Sequence, residues 1–319
     1  MKHLMRSRAN PHIRELLAEG GLSLTRLIQP IFVVEAMSGE EDIAGLVDNR
    51  RMGVQAALRQ IEGDVKNGVR HFMLFPVPAQ KGIAPNPGAD IISTIKGAFG
   101  SDIHLWVDTC LCSSSPLGHC CLFQEDSQSK IDLEATLNTL GSYARAYAGA
   151  GADGIAPSDM MDGRVAAIRA QLDQHGHQDI PIMSYSTKFS SAFYGPFRAA
   201  ADSTPNFGDR RQYQIDVRNR TDALNASMRC ADEGADLLML KPGMTSIDLL
   251  KPIFKKTSLA VGVYQVSGEY ASLALLGREG LTDFNAALLE TWHVFQRAGA
   301  QYIITYGARK GRDLGIALT

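Results

Sequence analysis

The stretch DLLMLKPGMTSIDLLKPIFKKTSLAVGVYQVS, residues 236–267, contains the unit that decides the fold. Its two apolar runs, DLLMLK and LAVGVYQVS, have the composition of buried β-strands, and the segment between them is long enough for a helix. A helix between two buried strands predicts that the strands are parallel, because a tight turn can connect only antiparallel ones. We therefore expect a parallel sheet with helices on its outside.

The same unit recurs along the chain. Further apolar runs are IQPIFVV from Ile28, HFMLFPV from His71, IHLWVD from Ile103, GIAP from Gly154, IPIMSYS from Ile180 and YIITYG from Tyr302. Eight such runs separated by helix-like segments predict a closed (β/α)8 TIM barrel, a fold that takes roughly 250 residues. An open doubly wound sheet is the main alternative, but no G-x-G-x-x-G motif follows the first strand.

No repeat or flexible linker divides the chain, so we predict a single barrel domain over residues 28–319. Residues 1–27 are expected to form a partly helical N-terminal arm that packs on a neighbouring subunit, with a disordered tail as the alternative.

The net charge of -2 argues against nucleic acid or an anionic membrane as the partner. Because no apolar run reaches roughly 20 residues and no signal-peptide core is present, we expect a cytoplasmic protein.

Lysines follow two neighbouring strands at their carboxyl ends, the edge where barrels of this type build active sites. Lys188 comes after IPIMSYS, and Lys241 ends DLLMLK. A buried lysine is costly unless it is paired or functional, so a rim salt bridge or a solvent-directed side chain is the alternative for each. Two ammonium groups in one poorly solvated pocket lower the pKa of at least one of them. Because a neutral amine can attack a carbonyl to form an iminium ion, the pair predicts Schiff-base chemistry.

Other polar residues follow the remaining strands and are expected to face the same pocket: Asp108, Ser158, Asp159, Ser267 and Tyr306. The segment after Lys188 contains aromatic residues and then Arg198, Arg210 and Arg211, whose guanidinium groups suit a carboxylate or a phosphate. We interpret this segment as a lid that excludes water from the barrel mouth. A solvated basic loop is the alternative.

Four of the five cysteines crowd the segment CLCSSSPLGHCC, residues 110–121. Cys110, Cys112 and Cys120 are candidate thiolate ligands of a catalytic zinc ion, which uses three protein ligands and keeps a fourth position open. His119 or Cys121 could replace one of them. Free thiols in a surface loop are the alternative to a metal site.

Several of these runs also carry a family resemblance. APSDMMDGRV, MSYSTKFSSAFYGPFR, FGDRRQYQ, MLKPG and YQVSGEY resemble the porphobilinogen synthase family, also called δ-aminolevulinic acid dehydratase. The resemblance implies a (β/α)8 barrel with an N-terminal arm, assembled as a homo-octamer. It also implies condensation of two 5-aminolevulinate molecules to porphobilinogen, with loss of two waters, in tetrapyrrole (heme) synthesis.

The resemblance implies a role for each matching residue. Lys241 matches the lysine that binds the first substrate as a Schiff base, and Lys188 matches the lysine that binds the second. Asp108 matches an acidic group that assists proton transfer. The zinc triad of the family is matched by Cys110, Cys112 and Cys120. One substrate carboxylate is matched to Arg198, Arg210 and Gln214, and the other to Ser267 and Tyr306.

The sequence departs from the family pattern at several positions. Residues 113–116, Ser-Ser-Ser-Pro, replace the usual residues of the metal loop, and such changes alter metal affinity or selectivity. Ala226 stands where many bacterial members have a glutamate for an allosteric magnesium ion, which argues against that site. The departures leave open a divergent paralogue that uses both lysines on another amino ketone. A non-catalytic barrel is disfavoured, because the lysines, the lid arginines and the three cysteines are all retained.

Overall fold

The computed structural model describes residues 4–83, 88–125, 127 and 130–318. Within these residues, eight parallel strands form the wall of a barrel. Numbered along the chain, they are β1 (Leu27–Val34), β2 (His71–Val77), β3 (His104–Thr109), β4 (Gly154–Pro157), β5 (Met183–Lys188), β6 (Leu237–Lys241), β7 (Ala260–Gln265) and β8 (Ile303–Thr305).

Neighbouring strands in the barrel are also neighbours in the chain. The hydrogen-bonded order is β4-β3-β2-β1-β8-β7-β6-β5. A parallel bridge between Ile155 and Ile182 joins the two ends of this order, and the N–H of Ile155 donates to the carbonyl of Pro181 at 3.0 Å. The barrel is therefore nearly closed. The predicted (β/α)8 TIM-barrel fold is confirmed, and the open doubly wound sheet is excluded.

The α-helices mostly lie outside the strands, where they cover the outward side chains. In the described part of the chain they are α1 (Pro11–Leu16), α2 (Val54–Lys66), α3 (Ala89–Phe99), α4 (Leu133–Gly149), α5 (Arg164–Gln174), α6 (Gly195–Ala200), α7 (Arg220–Asp232), α8 (Leu250–Thr257), α9 (Ser267–Arg278) and α10 (Phe284–Ala298). Short 3-10 helices lie at Leu4–Arg8, Leu24–Arg26, Gly100–Asp102, Ala192–Tyr194, Met244–Leu249 and Ala308–Lys310. Short strands outside the barrel lie at Glu40–Asp42, Arg50–Met52, Leu122–Phe123 and Ile131–Asp132.

The strand β5 is buried along its whole length although its sequence, MSYSTK, is largely polar. The outward hydroxyls of this strand are satisfied by α7. The hydroxyl of Ser227 lies 2.8 Å from that of Thr187 and donates to that of Ser186 at 3.0 Å. Because these hydroxyls bond to one another, burying them is not costly, and the strand can carry Lys188 into the barrel.

The seventh strand ends earlier than its apolar run suggests. The run LAVGVYQVS extends to Ser267, but β7 ends at Gln265 and Ser267 is the first residue of α9. The carboxylate of Glu269 accepts the N–H of Val266 at 2.9 Å and the N–H of Met244 at 2.8 Å. These bonds begin the helix at Ser267, so this serine is presented by a helix rather than by a strand.

The N-terminal segment contains α1, none of whose residues is buried. The side chains of Leu16 and Leu17 at its end are 77% and 55% exposed. None of the described helices is long and apolar enough to cross a membrane.

Candidate active site

The two lysines lie side by side at the carboxyl end of the barrel. Lys188 ends β5 and Lys241 ends β6, and they are direct partners in the register of these two strands. Both are buried, with only 5% and 2% of their surface exposed. Among the described residues, neither amine forms an ion pair with a carboxylate. The alternatives of a rim salt bridge and a solvent-directed side chain are therefore wrong for both.

The surroundings of the two amines differ. The Nζ atom of Lys188 donates to the carbonyl of Ser158 at 2.5 Å. The Nζ atom of Lys241 lies against aromatic rings, with centroid distances of 4.2 Å to Tyr264, 4.6 Å to Phe197, 5.0 Å to Tyr185 and 5.5 Å to Tyr194. One amine thus has a polar backbone partner, whereas the other lies in an aromatic enclosure.

Burial in this enclosure and, less strongly, the ammonium of Lys188 lower the pKa of Lys241 to about 7, while Asp108 opposes the shift. Aromatic faces favour a cation by about 0.5–2 kcal/mol. A pKa lowered from 10.5 to about 7 corresponds to roughly 5 kcal/mol against the charged form, and exclusion of water is the largest cause of this shift. A substantial fraction of Lys241 is therefore neutral near pH 7 and can act as a nucleophile.

Asp108, near the end of β3, belongs to the same pocket. Its burial raises the pKa of the carboxyl group, and the ammonium groups of Lys188 and Lys241 oppose this rise. Within the described residues, its Oδ1 atom has no hydrogen-bond partner. A carboxyl group near two amines can exchange protons with them or with a molecule bound between them.

Tyr185 is a pocket residue that the strand pattern did not predict. Its ring centroid lies 5.8 Å from the amine of Lys188 and 5.0 Å from that of Lys241. Strict alternation along a strand would place Tyr185 and Lys188 on opposite faces. The pairing with β6 shifts by one residue, because Leu238 pairs with Ser184 whereas Leu240 pairs with Thr187. This bulge inserts one residue and turns both side chains to the same face.

Ser267 and Tyr306 are bonded to aromatic residues of the enclosure around Lys241. The hydroxyl of Tyr306 is 3.1 Å from that of Tyr264, whose ring faces the amine of Lys241. The hydroxyl of Ser267 accepts the N–H of Phe197 at 3.1 Å and donates to the carbonyl of Phe193 at 3.3 Å. Tyr264 and Phe197 were also missed from the sequence; aromatic residues in the YQVSGEY and FYGPFR runs were the available signal.

The connection between β5 and α7, residues 189–219, covers the barrel mouth, and we call it the lid. Arg210 is buried and donates to the carbonyl of Gly118 at 3.0 Å and to that of Ser203. Gln214 is also buried, and in the described part of the chain neither atom of its amide has a partner. Arg198 is half-buried, and its Nε likewise has none there. Buried polar atoms without partners are costly, so these side chains have unused capacity for a polar ligand.

The alternative of a solvated basic loop is therefore wrong for Arg210, but it describes the surroundings of Arg211. The side chain of Arg211 is 80% exposed and pairs with Asp209 at 3.5 Å. It lies outside the pocket, although it is the sequence neighbour of Arg210.

Cys110, Cys112 and Cys120 form a buried group beside the pocket. Their Sγ atoms all lie within 4.8 Å of one another, so the loop is not an exposed one. Hydrogen bonds with Cys110 and Cys112 hold the pKa of Cys120 well below its usual value, and the guanidinium of Arg210 lowers it as well. Three close thiols that favour a thiolate fit the ligand set of a metal ion with one open position. The group could therefore hold a metal.

Comparison with known proteins gives a consistent result. The chain matches the family described as delta-aminolevulinic acid dehydratase over residues 1–313. It is 37% identical to the Helicobacter pylori delta-aminolevulinic acid dehydratase over 98% of both chains. It is 41% identical to the Bos taurus enzyme of that name over 91% of this chain and 90% of that one.

A solved structure agrees over nearly the whole chain. It is the delta-aminolevulinic acid dehydratase (porphobilinogen synthase) of Toxoplasma gondii in complex with the reaction product porphobilinogen. The TM-score is 0.93 at 36% identity, over 98% of this chain and 91% of that one. The barrel, its paired lysines and these full-length matches agree, and the chain belongs to the delta-aminolevulinic acid dehydratase family.

Proposed function

We propose that this chain is a porphobilinogen synthase that condenses two molecules of 5-aminolevulinate to porphobilinogen with loss of two waters, in tetrapyrrole synthesis. The observation that carries the proposal is the pair of buried lysines in direct register at the barrel mouth. Burial lowers the pKa of Lys241 to about 7, so it supplies a neutral amine near physiological pH. The reaction needs two carbonyl substrates held together, and two adjacent amines can hold both.

In the proposed mechanism, the neutral amine of Lys241 attacks the ketone carbon of one substrate. The ketone oxygen leaves as water, and an iminium ion remains. Lys188 binds the second ketone in the same way. New C–C and C–N bonds then join the two substrates and release both lysines, so that the net loss is two waters. Asp108 moves protons between the bound substrates, because its carboxyl group is buried beside both amines.

Two sets of side chains are proposed to hold the substrate carboxylates. Arg198, Arg210 and Gln214 of the lid take one, which is supported by the free Nε of Arg198 and the unpaired amide of Gln214 among the described residues. Ser267 and Tyr306 take the other; their hydroxyls bond to Phe197 and Tyr264, whose rings lie against the amine of Lys241. Closure of the lid excludes water from the iminium ions, which water would hydrolyse.

We further propose zinc as the metal, with Cys110, Cys112 and Cys120 as its ligands. A cluster of three thiolates suits zinc, whereas magnesium and calcium prefer oxygen ligands. When bound, zinc supplies Lewis acidity beside the two lysines. Magnesium at position 226 is not part of the proposal. Alanine offers no ligand atom there.

The N-terminal residues 1–27 are proposed as an arm that packs on another copy, outside a barrel domain of residues 28–319. The exposed Leu16 and Leu17 support this, because burying these two apolar side chains against another copy would stabilise the contact. A cytoplasmic homo-octamer is the proposed assembly. Sedimentation analysis of the full chain tests this, and a monomer at all concentrations would exclude it.

The direct test of function is a pyrrole-formation assay with 5-aminolevulinate, run on zinc-loaded and chelator-treated protein with metal content measured in parallel. We expect pyrrole from the zinc-loaded protein and a large loss after chelation that added zinc restores. Zinc-loaded protein that forms no pyrrole would exclude the proposal and favour a paralogue that condenses another amino ketone.

A further inference from the structure

The lid rests on the cysteine loop, which we define as residues 110–121. The backbone N–H of Asn206 donates to the carbonyl of Leu117 at 3.0 Å, and its side-chain amide donates to the carbonyl of Pro116 at 2.6 Å. Arg210 donates to the carbonyl of Gly118 at 3.0 Å. Three successive carbonyls of the cysteine loop are thus bonded by the lid.

Gly118 is required by this contact for two reasons. Its φ of 69° lies in the left-handed region, which side chains disfavour. A Cβ atom at this position would lie 2.2 Å from the carbonyl oxygen of Thr204 and 3.2 Å from the Cα of Pro205. The lid backbone therefore lies directly against Gly118, and a residue with a side chain would push the lid away.

His119 connects the same two segments through a directed chain of hydrogen bonds. Its Nε2 lies 3.0 Å from the carbonyl of Phe207, and its Nδ1 lies 3.0 Å from the hydroxyl of Tyr213. A carbonyl can only accept, so Nε2 carries a hydrogen, and in a neutral imidazole Nδ1 then accepts from the hydroxyl of Tyr213. The hydroxyl oxygen in turn accepts the N–H of Cys120 at 3.3 Å.

Aromatic packing strengthens this connection. The ring of His119 lies 4.6 Å from that of Phe207 in the lid and 5.1 Å from that of Phe123 beyond the loop. The side chain is buried, with 2% exposed. Because both of its ring nitrogens are engaged, His119 keeps no lone pair for a metal ion. Its position between the lid and Cys120 therefore serves contact between segments rather than metal ligation.

We propose that Gly118 and His119 form the docking site that holds the lid closed, so that the order of the cysteine loop and the closure of the lid are coupled. His119 is a positioning residue: it acts through Tyr213 and Phe207 on the segment that carries Arg210. Anything that loosens the cysteine loop, including loss of the metal, also loosens the lid. The expected effect on substrate affinity rests on the proposed function, but the docking itself does not.

The first test is Gly118→Ala, with Gly176→Ala as the matched control. Gly176 also has a positive φ, of 81°, but a Cβ atom there meets nothing within 4 Å. Backbone hydrogen exchange of residues 203–214 is followed by mass spectrometry. We expect Gly118→Ala to speed this exchange by at least about tenfold while exchange in the barrel strands stays unchanged, and Gly176→Ala to leave the lid as in the wild type. The proposal would be overturned if a folded Gly118→Ala protein showed the same rate of backbone hydrogen exchange in the lid as the wild type.

The second test separates docking from metal ligation at His119. His119→Phe keeps an aromatic ring but removes both hydrogen bonds, and Tyr213→Phe removes only the hydroxyl. We expect both variants to retain the zinc content of the wild type and to show faster backbone hydrogen exchange in the lid. Loss of zinc with an unchanged lid in His119→Phe would identify a metal ligand and overturn the proposal.

A kinetic measurement links docking to catalysis. Because the lid carries the arginines proposed to bind a substrate carboxylate, Tyr213→Phe should raise KM for 5-aminolevulinate by about tenfold with a smaller change in kcat. A wild-type protein without this activity would refute the proposed function, yet the exchange measurements would still decide the docking. If Tyr213→Phe showed faster backbone hydrogen exchange in the lid but an unchanged KM, the link to substrate binding would be overturned.

Discussion

Lys188 and Lys241 end adjacent strands in direct register, yet their amines differ in what surrounds them. Lys188 is bonded to a backbone carbonyl that can accept from an ammonium, whereas the amine of Lys241 lies against the faces of aromatic rings. The same side chain is thus placed in two dielectric surroundings within one pocket. Burial lowers the pKa of Lys241 to about 7, so this amine is available in its neutral form near pH 7 to form a Schiff base.

The largest expected effect comes from removing one amine at a time. Lys241→Ala and Lys188→Ala should each lower kcat by more than about a thousandfold, because each removes a nucleophile rather than a contact. The two variants should differ in borohydride trapping with 5-aminolevulinate. Lys188→Ala should still be labelled at Lys241, whereas Lys241→Ala should be labelled weakly. Equal labelling of both variants, read by peptide mass, would contradict the difference between the amines.

The pH dependence of trapping at Lys241 follows from its lowered pKa. Burial places this pKa at about 7, so the amine is neutral above pH 7 and protonated below it. Trapping should therefore fall about tenfold for each pH unit below 7, or about a hundredfold at pH 5, and level off above pH 8. The rate at which the mass of the protein increases under single-turnover conditions measures the trapping. A midpoint near that of free lysine would refute the effect of burial.

The aromatic enclosure can be opened at Tyr264, whose ring lies nearest to the amine of Lys241. Tyr264→Leu should admit water, raise the pKa of Lys241 and slow trapping at pH 7 by about tenfold. Tyr264→Phe is the matched control, because it keeps the ring and removes only the hydroxyl bonded to Tyr306. If Tyr264→Phe and Tyr264→Leu slow trapping equally, the hydroxyl of Tyr264, and not the aromatic enclosure, controls the reactivity of the Lys241 amine.

The smallest expected effect is that of the neighbouring charge. Lys188→Met removes an ammonium that lowers the pKa of Lys241, so the trapping midpoint should move to higher pH. The shift should be smaller than that caused by Tyr264→Leu, because burial is the larger cause of the lowered pKa. Lys188→Arg retains the charge and should leave the midpoint nearly in place. A midpoint that moves to lower pH in Lys188→Met would contradict the proposed repulsion.

The parts of the fold that follow local rules were predictable from the sequence. Eight apolar runs predicted eight strands, and each predicted lysine lies at the strand end where the pattern placed it. Ser267 was found, but on a helix start, because the hydrogen bonds of Glu269 determine that boundary. Tyr185 was missed, since a bulge in β5 reverses the alternation on which the prediction relied.

The cysteine loop and the lid show a different limit. Their spacing indicated three ligands and a cover over the pocket, but gave no sign that one segment rests on the other. His119 was considered as a substitute ligand, whereas its two nitrogens bond to Phe207 and Tyr213. These partners lie 88 and 94 residues away along the chain. No local pattern connects positions at that separation.

The sequence by itself determined the period of the strands and helices, the residues at the strand ends and the chemical types of the groups available for catalysis. These follow from apolar periodicity and from residue chemistry, which act over a few positions. The tertiary structure decided that Lys241 has a lowered pKa, because the rings that exclude water from it come from β5, the lid and β7. Exclusion of water is a property of the packed pocket, so it exists only when these distant segments meet.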